Sequence, residues 1–100
     1  METKQLQKKA VGMVDTLDRK FSVERDAQLN FTQMVEEVGE LAKEINLPRL
    51  RSRDADKNNL EGEFADIFLL LSKMAEMCNV DLETAVENKL KALEKRHMLV

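Results

Sequence analysis

Apolar residues return every third or fourth position along most of this 100-residue chain. That is the period of a helix with one buried side. Leu6, Ala10, Val14, Leu17 and Phe21 place a first helix over about residues 3–20. Phe31, Met34, Val38, Leu41 and Ile45 place a second over about 24–45. Asn46 and Pro48 close it, because the residue before a proline avoids the helical region. The stretch LPRLRSRDAD, 47–56, reads as the only clear loop. A third helix spans about 57–78, and its centre, IFLLL, is apolar on all sides. That marks a helix covered all round rather than one lying on a surface. Asp81 is the expected N-cap of a fourth helix reaching about residue 97, with Leu82, Val86, Leu90 and Leu93 in its stripe. Lys89, Lys91, Lys95 and Arg96 suit its C-terminal dipole. The pattern predicts an all-α fold: one four-helix, bundle-like domain over residues 1–100. A chain of this size cannot cover helix three alone. A homodimer or homotetramer, in which subunits share one core, is therefore expected.

Composition supports helix and narrows the partners. Leu, Glu, Lys, Ala and Met dominate, and three Gly and one Pro leave little punctuation for hairpins. Apolar residues at 43% and charged residues at 35% fit a folded, soluble chain. A net charge of −3 gives no case for binding a nucleic-acid polymer. Cys78 is the single cysteine, so no internal disulfide is possible, and it is expected to pack as a small hydrophobe in a reducing compartment. The start, METKQLQKK, lacks the apolar core of a signal peptide, and the run Ile67 to Leu71 is too short to span a membrane. A cytoplasmic protein with no membrane contact is the expectation.

The acids change the picture. VEEVGELAKEI, 35–45, holds Glu36, Glu37, Glu40 and Glu44. Glu36 and Glu40 form a like-charge i,i+4 pair, which disfavours an isolated helix. Glu37 and Glu40 are i,i+3 neighbours on the shoulder of the apolar stripe. Helix three carries a second i,i+3 pair, Glu63 and Asp66, directly before its greasy centre. No cation lies four residues from Asp66, where the chain has Gly62 and Leu70. A buried carboxylate either neutralises or finds a partner. Two such pairs on facing helices make an oxygen cage for a hard divalent cation. Mg²⁺ suits it, and Mn²⁺ is not separable by sequence. Spacing alone suggests a metal site and does not prove one, since solvated acidic faces carry such pairs too. If the acids do converge, some should have raised pKa values without the metal.

EEVGE at 36–40 followed by EFAD at 63–66 matches the pattern EExxE…ExxD, with 22 residues between Glu40 and Glu63. This resembles the signature of the MazG-like nucleotide pyrophosphohydrolases. The neighbouring stretches FTQMVEEVGELAKEI and EGEFADIFLLL look like that family's second and third helices. The resemblance covers about residues 25–97. It implies an all-α, oligomeric enzyme that hydrolyses nucleoside triphosphates to monophosphate and pyrophosphate with Mg²⁺. It implies Glu37, Glu40, Glu63 and Asp66 as metal ligands. Glu36 matches the first acid of the motif; holding or deprotonating the attacking water and a role behind the ligands both stay open. Members often carry a Lys, an Asn four on and an Arg three further. Lys89 and Arg96 match, but Leu93 replaces the Asn, which leaves Lys89 the better candidate for phosphate contact.

Asn30 and Gln33, before the acids on helix two, are candidates to read a base edge. Arg49, Arg51 and Arg53 read as a charged, exposed loop, and His97, at a fraying end, is given no role. The methionines, Met34, Met74 and Met77 among them, read as core filler. Phe21, Phe31, Phe64 and Phe68 are the only rings on which a base could stack. Two other readings stay open: a phosphoribosyl-ATP pyrophosphohydrolase-like enzyme, and a non-catalytic helical dimer that binds nucleotide as a regulatory module.

Overall fold

A computed structural model describes residues 1–99 and contains five helices: α1 (Thr3–Phe21), α2 (Ala27–Ile45), α3 (Leu47–Leu50), α4 (Lys57–Met77) and α5 (Leu82–Arg96). The all-α expectation holds, and the four long helices fall where the periodicity put them. Local chemistry sets their ends. Glu2 and Gln5 form a reciprocal capping box on α1. Asp26, Asp56 and Asp81 cap α2, α4 and α5, each carboxylate accepting a backbone N–H three residues on. The cap at Asp26 starts α2 three residues later than expected. Glu24 and Arg25 therefore stay in the connection, where Arg25 can fold back on α1.

The 47–56 loop is partly helical. Leu47–Leu50 forms one turn, with Pro48 in its first turn, where a missing N–H costs nothing. Glu44, buried at the end of α2, then accepts the Asp56 N–H at 2.9 Å and the Asn59 amide at 3.2 Å. One acid of the crowded α2 segment thus ties the chain to the start of α4. Glu44→Ala should leave two donors without this acceptor and cost about 1–2 kcal/mol. Urea unfolding should show it as a lowered midpoint at unchanged slope.

α4 packs against α2 on one side and α1 on the other. Lys73, buried on α4, reaches Asp15 of α1 at 2.8 Å and Glu76 at 3.0 Å. α5 has no buried residue and joins the rest near its N-terminus, where Lys4 pairs with Asp81 at 3.3 Å. Cys78 is exposed rather than packed, because it caps the end of α4 at a turn no element covers.

The single chain leaves its core open. Ala10 and Val14 are its only fully buried apolar residues among those described. The radius of gyration is 16.4 Å, against about 13 Å for a compact chain of this length. The α2 face turned inward carries Asn30, Gln33, Glu37 and Glu44, buried or half-buried there beside Met34 and Leu41. Phe31, Val35, Val38 and Ile45 instead form an exposed stripe at helical spacing. The expected inward stripe on helix two is therefore corrected, since Phe31, Val38 and Ile45 face away from α4. On α4, Phe64 is 60% exposed and Leu71 39%, on the same side of the helix. The apolar centre of α4 is thus only half covered within one chain.

Candidate active site

α2 and α4 run side by side, and Glu37 of the first meets the acid pair of the second. Glu37, Glu63 and Asp66 each bring a carboxylate oxygen within 4.8 Å of the other two. None of the ion pairs among the described residues reaches these three acids. Glu63 Oε2 is buried with no hydrogen-bond partner. Burial, a hydrogen bond with Glu63 and the charges of Asp66, Glu63 and Glu40 push the Glu37 carboxyl up to about 7. Converging acids therefore hold a proton that ordinary glutamates lose, as the sequence reading expected. A hard, all-oxygen donor set with an orphaned lone pair fits a divalent cation.

Glu40 stands apart from this cluster. Its side chain is exposed and lies 3.5 Å from Lys43 Nζ. It acts on Glu37 through its charge. Glu36 is exposed and lines the same cavity as Glu37 and Asp66. This cavity of about 280 Å³ also takes Val14, Leu17 and Asp18 from α1, Arg25, and Gln33, Leu69 and Leu70. Lys89 and Arg96 lie exposed on α5, which contributes nothing to its lining.

Asn30 is corrected: it is fully buried and cannot read a base edge. Its amide nitrogen donates to the Leu70 carbonyl at 3.0 Å and its oxygen accepts from Arg25 at 3.0 Å. Gln33 keeps a place on the cavity wall and accepts from Arg25 as well. Arg25 and Asp18 escaped the sequence reading. The guanidinium grips Asp18 with two hydrogen bonds, 2.7 and 3.0 Å, and these hold Asp18 below its ordinary pKa. One signal existed. Asp18 follows Val14 by four residues, so it sits within the α1 apolar stripe, and an acid there calls for a cation.

The raised acid sets the pH behaviour of the metal-free protein. Glu37 binds its proton more tightly folded, near 7, than at its ordinary value of 4.5. The folded state thus holds more protons across that window, and stability falls as pH rises from about 4.5 to about 7. Allowing for solvent at a partly open site, the loss is about 1–2 kcal/mol. Asp18 works in the opposite direction, but below its ordinary 3.8 and so outside the window. Thermal melts in chelator should fall across this range in the parent by more than in Glu37→Gln.

Among the described residues, no helix is long and apolar enough to cross a membrane. No curated protein and no solved structure is significantly similar to the chain. Residues 25–100 match the family model for the MazG nucleotide pyrophosphohydrolase domain, a span that holds all three clustered acids and most of the cavity wall. The chain belongs to the MazG nucleotide pyrophosphohydrolase family.

Proposed function

We propose that the protein is a Mg²⁺-dependent nucleoside triphosphate pyrophosphohydrolase. It acts on ribo- or deoxynucleotides, releases monophosphate and pyrophosphate, and clears non-standard or surplus nucleotides in the cytoplasm. The observation that carries this reading is the cluster of Glu37, Glu63 and Asp66, unmatched by any cation among the described residues, with Glu37 and Asp66 lining a cavity. Glu37, Glu63 and Asp66 would hold the metal, and Glu40 joins them by leaving its loose, exposed contact with Lys43. Mn²⁺ suits the same oxygens. The cation, when bound, neutralises triphosphate oxygens. Glu36 stands at the exposed edge of the cavity, where its carboxylate orients a water and takes its proton.

The working unit is a homodimer or homotetramer. The exposed stripes of α2 and α4 support this, because they are the surfaces a second copy would bury. Lys89 and Arg96 act on substrate phosphates in that assembly, where the projecting α5 of one copy can approach the acids of another.

A nucleotide panel with Mg²⁺ or Mn²⁺, assayed for pyrophosphate, tests the reading. The panel includes phosphoribosyl-ATP, whose exclusive use would favour the histidine-pathway type of enzyme. Pyrophosphate from one or more nucleoside triphosphates is the expected result. None from any compound, with nucleotide still bound, would leave the non-catalytic nucleotide-binding dimer.

A further inference from the structure

Gln33 precedes Glu37 by one helical turn, about 6 Å along α2, and both line the same cavity. A side-chain amide accepts at one end and donates at the other, so its orientation decides what it recognises. Arg25 removes that ambiguity. A guanidinium carries donors only, so the atom Gln33 turns to Arg25 Nη1 has to be its oxygen. The NH₂ group is left for whatever enters the cavity.

Arg25 is itself held still. Asp18 grips Nε and Nη2, and the fully buried Asn30 takes Nη1 at 3.0 Å. Asn30 is locked from its other end, because the Leu70 carbonyl can only accept. Four hydrogen bonds occupy the guanidinium, and Asp18 balances its charge. The group is built to hold Gln33 rather than to grip a phosphate.

We infer that Arg25 is a positioning residue that fixes Gln33 as a hydrogen-bond donor, so that the cavity selects nucleotides whose base turns a carbonyl oxygen, not an exocyclic amine, toward it. This rests on the reading of the cavity as a nucleotide site. The apolar Leu17, Leu69 and Leu70 offer a base surface but no hydrogen bonds from their side chains, so discrimination at its edge falls to Gln33. An amine facing the locked NH₂ sets donor against donor, and both give up water without gaining a partner. Uracil and cytosine differ at one such group, as do hypoxanthine and adenine.

Equilibrium binding of the α,β-imido analogues of UTP, CTP, ITP and ATP decides the matter without turnover. In each matched pair the carbonyl-bearing base should bind at least about tenfold more tightly. Gln33→Glu keeps an oxygen on Arg25 but offers the base an acceptor, and should reverse both preferences. Arg25→Lys keeps the charge without the fork, releases the amide to rotate, and should bring both ratios to within about twofold of unity. Equal binding within the pairs by the parent, or a carbonyl preference that survives Gln33→Glu, overturns the inference. So does failure of all four analogues to bind. Pyrophosphate release from natural nucleotides is scored separately. An active enzyme without the preference removes this inference alone, and an inactive protein that shows it removes only the hydrolase reading.

Discussion

Glu63→Gln should lose most pyrophosphate release and yet melt at a higher temperature than the parent in chelator. The two effects come from one carboxylate. Glu63 brings an oxygen within 4.8 Å of carboxylate oxygens of Glu37 and Asp66, and its Oε2 is buried without a partner. Two unit charges about 4 Å apart repel by about 4 kcal/mol at an effective dielectric of 20, before screening. The amide removes one charge and supplies two donors to the remaining acids. A gain of about 1–2 kcal/mol in the metal-free state is the expected balance. The same change takes away a ligand. A metal contributes several kcal/mol of transition-state charge stabilisation, so kcat/KM should fall by about 10²–10³. The parent should gain about 2.7 kcal/mol at Mg²⁺ a hundredfold above its dissociation constant. The variant should gain little. Melts with and without Mg²⁺, run beside the pyrophosphate assay, check both halves. A variant with parental activity, or a parent whose melt ignores both Mg²⁺ and the loss of Glu63, would leave the cluster as a solvated acidic face.

The acids of α2 look alike in the sequence. Spacing put Glu36, Glu37, Glu40 and Glu44 on one helix, and the fold gives each a different neighbour. Glu44 binds the start of α4, Glu37 meets Glu63 and Asp66, Glu40 leans toward Lys43, and Glu36 edges the cavity. Helix positions and the acid pairs were legible because both depend on residues a turn apart. The Asp81 cap was legible for the same reason. Arg25 was not, because its partners are seven residues back and five and eight residues on, across a connection whose path no periodicity reports. Asn30 misled for a related reason. A polar residue one turn from a site can face the site or the core, and its hydrogen bond to Leu70, 40 residues on, is what turns it inward. The direction of the α2 stripe was hidden too. Period identifies an apolar face, but not whether its own chain or a second copy will cover it.

Phe64→Glu should convert the proposed dimer into free 11.5 kDa chains and take stability and activity with it. Phe64 lies at the N-terminal half of α4, between Glu63 and the acid pair's second member, Asp66. Phe64 is 60% exposed, whereas Glu63 beside it is half-buried. Phe31, Val35, Val38 and Ile45 of α2 and Leu71 of α4 are also exposed at helical spacing. Covering the remaining half of such a side chain contributes about 1 kcal/mol. In a two-fold dimer every contact is made twice, so these six residues together favour association by about 10 kcal/mol or more before the cost of ordering two bodies. A glutamate at 64 removes two rings from that sum and brings two unpaired carboxylates into the buried patch, at several kcal/mol each. The dimer cannot absorb this. The separated chain keeps only the small core around Ala10 and Val14 and leaves both stripes in water, so a smaller fraction of it is folded with Glu37 beside Glu63 and Asp66. Activity should therefore fall although no acid has been touched, and Phe64→Leu, which keeps the apolar contact, should restore both mass and activity. Light scattering across micromolar concentrations reads the outcome directly. A parent already at 11.5 kDa, or a Phe64→Glu variant with the parent's mass, would mean that these stripes do not hold the protein together.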